Sequence, residues 1–204
     1  MRLRFTKEKD IHFISHHDLM KVFERAVRRA GIPVAMSKGF NPHPKLSIPL
    51  ALSVGVTGKD EIFELELIRP IPPEVLTENL GKQLPKEIQI LSSEILPDSG
   101  KDVVRSIVYE VIFSNTDFLK TLKIDEFLQK TSILVDRTKD GCRKLFNIRP
   151  SIEDIQVRHN RLVLMIRIMP DGMARPDEIL CALSVSRENE FFEIIRTKVN
   201  LSSA

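Results

Sequence analysis

The chain has 204 residues, 42% of them hydrophobic and 29% charged, with a formal net charge of +3. Such a chain folds throughout, as one large domain or two small ones, and buries on the order of 70% of its extended surface. The composition excludes a low-complexity or disordered linker protein, and no apolar run approaches the roughly 20 residues of a membrane helix.

Arg2 to Thr6 (RLRFT) alternates as a half-buried strand does, and Asp18 to Ala30 repeats apolar residues at helical spacing until Gly31 and Pro33 stop it. Two strands are expected next, Lys45 to Val54 and Glu61 to Ile68, the second alternating strictly as EIFELELI. Pro72 and Pro73 introduce a short helix (PPEVLTENLGKQLP), and Ile88 to Ile95 reads as a closing strand. The order is β-α-β-β-α-β, a ferredoxin-like lobe over residues 1–97.

Residues 97–105 (PDSGKDVVR) read as a linker, after which the pattern restarts. Ile107 to Phe113 is a strand and Asp117 to Lys130 a helix. Ile133 to Arg137 is a strand that turns through KDGCRK into a paired segment, with an insertion around Asn147 to Asp154. A strand from Arg161 to Met169, a helix from Arg175 to Leu183 and a strand from Phe191 to Val199 complete the second lobe, residues 106–204. The expected fold class is α+β, with two tandem ferredoxin-like lobes.

Chemistry-bearing residues are densest in SHHDLMKVFERAVRRAGIPVAMSKGFNPHPKLSIPLALSVGV. Residues 1–59 carry eleven Lys and Arg against four Asp and Glu, whereas residues 60–98 carry three against nine, so the excess cation sits with this segment. On the first helix a step of 100° per residue places Leu19, Phe23, Ala26, Val27 and Ala30 on one side, and Lys21, Arg25, Arg28 and Arg29 on the other. Like charges at i,i+4 repel by a few tenths of a kcal/mol. Cations near a helix C-terminus are also favourable to the helix itself, so a solvated face and a face for an anionic partner both fit.

His16, His17 and Asp18 suggest acid–base or metal chemistry, and His43 could join His16 and Asp18 if the following loop folds back. Ser15 and Asp18 read equally as a helix cap with an acid in the first turn. The loop Lys38-Gly39-Phe40-Asn41-Pro42-His43-Pro44-Lys45 offers an aromatic platform beside Lys and Asn, which suits an unstacked base. A structural turn with Phe40 buried is the alternative.

In the second half, ILVDRTKDG holds Asp136, Arg137 and Asp140. A carboxylate beside Arg-Thr is similar to the catalytic stretch of pseudouridine synthases, which also pair two ferredoxin-like halves. There Arg-Thr leads directly into the catalytic Asp; here Lys139 intervenes, and Lys-Asp-Gly also reads as a hairpin turn. Arg149-Pro150 and Arg175-Pro176 each place an extended Arg before proline, and Arg196-Thr197 offers either an anion contact or plain strand-surface polarity. Cys142 and Cys181 belong to no CxxC or Cys/His cluster and read as small apolar fillers in a reducing compartment. MRLRFTKEKD lacks the apolar core of a secretory signal, so the expected address is the cytoplasm.

RLRFTK, ISHHDLMKVFERAVRRAGIP, SKGFNPHPKLSIPLALSVGV, NIRPSIEDI, ARPDEIL and RTKVNL occur in an order that resembles the bacterial radical-SAM-linked family. This is a domain of unknown function found beside, or fused to, a radical S-adenosylmethionine protein. His17 departs from the pattern, which commonly has Leu there. The resemblance implies a partner that carries the iron–sulfur cluster and cleaves S-adenosylmethionine, because CxxxCxxC is absent here; it implies no cofactor on this chain. It also implies a setting near ribosome and RNA-processing genes.

The function expected from these readings is a non-catalytic accessory that binds structured RNA, tRNA or rRNA, and holds no metal. Lys21, Arg25, Arg28 and Arg29 would neutralise phosphates, Lys38 and Lys45 would extend the track, and Phe40, Asn41 and His43 would contact a base. Two alternatives stand beside it: an RNA-acting enzyme, nuclease or pseudouridine-synthase-like, with His16, Asp18 and His43 as acid–base residues, and a protein-only docking module.

Overall fold

Alternation along RLRFTK sends Leu3 and Phe5 to one face of a strand and Arg2 and Arg4 to the other, and the first unit is built on that division. The computed structural model describes residues 1–96, 102–139, 141–185, 187 and 190–202. It is a mixed α/β fold with a mostly antiparallel sheet and, among the described residues, four α-helices. The chain divides into two compact units, Met1–Val103 and Val104–Ser202. No helix among the described residues is long and apolar enough to cross a membrane.

The first unit runs β1 (Arg2–Lys7), α1 (His16–Arg29), β2 (Leu46–Ser47), β3 (Thr57–Leu65), α2 (Pro73–Gly81) and β4 (Ile90–Glu94). β1 lies between β4 and β3, with β2 on the far side of β3, and every one of these pairings is antiparallel. Arg2 sits opposite both Glu64 and Glu94, which fixes the register. Leu3, Phe5, Phe63 and Leu65 form the sheet's apolar face, and Leu19, Phe23, Ala26 and Val27 of α1 and Leu76 and Leu80 of α2 pack on it. Phe23 stacks on Phe63 with ring centroids 4.2 Å apart and meets Phe5 edge-on at 4.8 Å. Each fully buried Phe contributes about 2–3 kcal/mol by removal from water. The opposite face is held by ion pairs: Arg2 reaches Glu64 at 2.7 Å and Asp102 at 2.6 Å, and Arg4 reaches Asp60 at 2.6 Å.

The second unit runs β5 (Val103–Phe113), α3 (Ile124–Gln129), β6 (Leu134–Lys139), β7 (Cys142–Asn147), β8 (Ile152–Arg158), β9 (Arg161–Arg167), α4 (Pro176–Ala182) and β10 (Phe192–Ser202). Its sheet order is β10-β5-β9-β8, while β6 and β7 form a separate two-stranded ribbon.

Several expected elements differ. The strand expected over Lys45 to Val54 has only two paired residues, because Pro44 and Pro49 flank Leu46–Ser47 and have no N–H to give a ladder. The helix expected over Asp117 to Lys130 is a 3₁₀ turn (Asp117–Thr121) and then α3, separated at Leu122, whose backbone is extended. The insertion expected around Asn147 to Asp154 is instead the β6–β7 ribbon. Residues 149–151 make one 3₁₀ turn at Pro150, and β8 then enters the sheet. Of the expected linker, residues 97–101 lie outside the described residues, and Val103–Arg105 already belong to β5. Cys142 and Cys181 are exposed rather than core fillers; one ends the ribbon turn and the other faces outward from α4.

Candidate nucleic-acid interface

α1 is fixed at both ends by its own sequence. Ser15 is the N-cap: its Oγ accepts the Asp18 N–H at 3.1 Å and donates to Asp18 Oδ2 at 2.7 Å. At the other end Gly31 takes a φ of +65°, a conformation that costs glycine little. With the apolar stripe buried, His17, Asp18, Lys21, Arg25, Arg28 and Arg29 are exposed.

These cations are not equally free. Lys21 lies 3.7 Å from Asp18, and Arg28 pairs with Glu24 one turn earlier at 3.1 Å. Arg29 donates to the Gln83 carbonyl at 2.6 Å and to its side chain at 3.3 Å. Arg25 and Arg29 both line a groove of about 320 Å³, with Val22, Gln83, Leu84 and Pro85. Arg25 makes no hydrogen bond or ion pair among the described residues, so its charge is available.

The Pro-rich loop is an arm with a defined root. Glu66 donates its N–H to Lys45 O at 3.1 Å and accepts the Ala35 N–H at 2.7 Å, and Lys45 in turn donates to Ala35 O at 2.8 Å. One residue thus holds both legs. Higher up, Ser37 N–H reaches His43 O at 2.7 Å, and His43 N–H reaches Ser37 Oγ at 2.9 Å, closing the tip. Within that closure Gly39 takes a φ of +143°, and Lys38, Phe40, Asn41 and Pro42 are all exposed. Phe40 is fully in solvent, which removes the buried-turn alternative. Lys45, expected to extend the cation track, is ion-paired to Glu66 at 2.8 Å at the arm's root.

The acid–base grouping is not assembled as a metal site: among the described residues no three His, Cys, Asp or Glu side chains are placed to hold an ion. His16 Nδ1 is buried without a hydrogen-bond partner, while His43 is exposed on the arm. The Ser15 hydroxyl, helped by nearby Lys21, holds the Asp18 carboxyl below the usual carboxylate range. A weakened base of that kind suits a cap better than proton abstraction.

The second unit's motifs are consumed internally. Arg137 grips Glu178 with two bonds of 2.8 and 2.7 Å, donates to Met173 O at 2.6 Å and lies 3.8 Å over the Phe146 ring. Glu178 meanwhile accepts the Arg175 N–H at the start of α4. Arg137 therefore ties the ribbon to the helix, which is a structural role for the residue expected beside a catalytic carboxylate; Asp140 lies outside the described residues. Asn147 Oδ1 accepts the N–H groups of Ile133 and Arg149. Arg149 is not extended before Pro150, because its guanidinium donates to Leu128 O and Ile152 O and holds it in the 3₁₀ turn. Arg196, expected at a strand surface, is fully buried. Thr197 donates to Val108 O.

Sequence reasoning missed an open cleft of about 810 Å³ in the first unit, at the end of β3. Arg2, Lys45, Leu67, Ile68, Arg69 and Ile95 are among its walls. The available signal was IRPIPP, where an Arg stands before proline and an exposed Ile before it.

No curated protein matches the chain in sequence. The family described as uncharacterized proteins conserved in bacteria (DUF2344) matches residues 1–176, and the chain belongs to that family.

Proposed function

We propose that this chain is a non-catalytic accessory that binds structured RNA through its first unit and assists a radical S-adenosylmethionine enzyme, in the cytoplasm, in modifying tRNA or rRNA. The observation that carries the RNA half is Phe40. A Phe held wholly in solvent forgoes about 2–3 kcal/mol of burial, so the fold gains nothing from placing it on a closed, rooted arm. An aromatic ring flanked by Lys38, Asn41 and His43 is a platform for an unstacked base. The exposed guanidinium of Arg25, with Arg28, Arg29 and Lys21 along the same helix face, supplies charge for phosphates.

The radical-enzyme half rests on the similarity of SHHDLMKVFERAVRRAGIP and SKGFNPHPKLS to proteins linked to such enzymes, together with the lack of CxxxCxxC in this sequence. We read each unit as a ferredoxin-like lobe. The order β4-β1-β3-β2 in the first and β10-β5-β9-β8 in the second supports that reading, with the β6–β7 ribbon inserted between α3 and β8.

The test is a titration of the purified protein with structured RNA from its host over a salt series, beside an Arg25/Arg28/Arg29→Ala variant. The wild type is expected to bind with a steep salt dependence, and the variant's slope is expected to flatten by about 0.7–0.9 for each phosphate it no longer neutralises. Absence of binding at low salt overturns the reading.

A further inference from the structure

We infer that the cleft at the end of β3 receives a short extended peptide from a protein partner, paired to the backbone of Leu67 and carrying a carboxylate toward Arg69. This goes beyond the RNA reading and does not depend on it. Backbone alternation gives the first argument. Leu65 exchanges hydrogen bonds of 3.0 Å with Met1 on the β1 side of β3. Glu66 points the other way, to Lys45 and Ala35, and Ile68 likewise donates to Pro33 O at 2.8 Å. Leu67 therefore turns its N–H and C=O back toward the β1 side and into the cleft, where neither has a partner among the described residues. A donor and an acceptor presented side by side at a strand edge are what an added strand uses.

The walls give the second argument. Leu67 and Ile68 line the cleft on the β3 side and Ile95 and Leu96 on the β4 side, with Ile68 72% and Ile95 63% exposed. Aliphatic walls without an aromatic ring fit alternating apolar side chains better than the face of a base. Charge gives the third. Glu64 is neutralised by Arg2 and Glu66 by Lys45, whereas Arg69 is exposed and pairs with nothing among the described residues. Among the described side chains of the cleft, Arg69 is thus the cation without a carboxylate partner, which suits one carboxylate.

The full chain, labelled with nitrogen-15, would be titrated by NMR with the blocked peptides acetyl-Ile-Asp-Val-amide and acetyl-Ile-Asn-Val-amide at millimolar concentration. Saturable shifts are expected at the amides of Leu67, Ile68, Arg69 and Ile95, with the Asp peptide binding about two- to fivefold more tightly, the range of an exposed ion pair. Arg69→Gln should erase that preference while keeping the Asn peptide's affinity, and Ile68→Ser should weaken both. Both positions are exposed, so the folded spectrum of each variant is retained. RNA binding by Arg69→Gln, measured separately, should be unchanged, which keeps failure here distinct from failure of the RNA reading. No saturable shift, shifts away from the cleft, or adenosine monophosphate binding the same amides more tightly than either peptide would overturn the inference.

Discussion

The arginine-bearing motifs of the two units are treated differently, although Arg2 of the first unit is itself buried and ion-paired. In the second unit Arg137, Arg149 and Arg196 are turned inward: the first two saturate a carboxylate and backbone carbonyls at helix ends, and the third is fully buried. In the first unit Arg25 has no partner among the described residues, Arg28 and Arg29 are exposed, and the neighbouring arm holds Phe40 in solvent. A polar motif is therefore a candidate binding surface where the fold leaves its hydrogen-bonding capacity unspent. NIRPS and ARPDE are as conspicuous in sequence as the arm, but Ser151 Oγ alone accepts the Ala174 N–H and donates to Ile148 O, closing one motif on the other.

That contrast can be broken most sharply at Arg137. Arg137→Ala leaves Glu178 half-buried and unpaired and should cost about 3 kcal/mol in urea unfolding, with RNA affinity unaltered at a temperature where the variant is folded. Loss of RNA binding by a folded Arg137→Ala protein would move the interface into the second unit. Asn147→Ala strands the N–H groups of Ile133 and Arg149, and a loss of about 2 kcal/mol is expected by the same measurement.

Substitutions in the first unit should reverse the pattern. Phe40→Ala is expected to lower RNA affinity about tenfold, in line with ~1–3 kcal/mol per stacked base, and to leave the melting temperature where it is. The smallest effect is at the helix start. Ser15→Ala removes the N-cap and should cost about 1 kcal/mol. It should also raise the Asp18 carboxyl toward its ordinary range, read by NMR titration of that carboxyl. Because Asp18 is held low in the folded protein, its stabilising effect is present above the usual carboxylate range and is lost as pH falls through its lowered value.

Elements with one clean period were readable from sequence, and their roles were less so. FELEL within EIFELELI alternates and carries the end of β3, and the apolar spacing of LMKVFERAV places Leu19, Phe23 and Val27 in the core as expected. LVDRTK reads equally well as a strand, but alternation does not say which sheet a strand joins; Arg137 and Asn147 direct it into a ribbon through bonds that no local pattern encodes. Arg196 was within reach, since it keeps the two-residue phase of the buried Phe192 and Ile194. The arm's residues were identified, but its exposure depends on the distant Glu66, and the cleft depends on which way Leu67 turns across the sheet.

The shared anchorage of the arm at Glu66 has a consequence for its length. Everything between Ser37 and His43 lies outside the bonds that hold the legs, so residues can be gained or dropped there without moving a single rung of the sheet. A change of length in the arm is thus expected to leave the first unit's fold in place, while the legs and the residue that clasps them cannot be changed independently of one another.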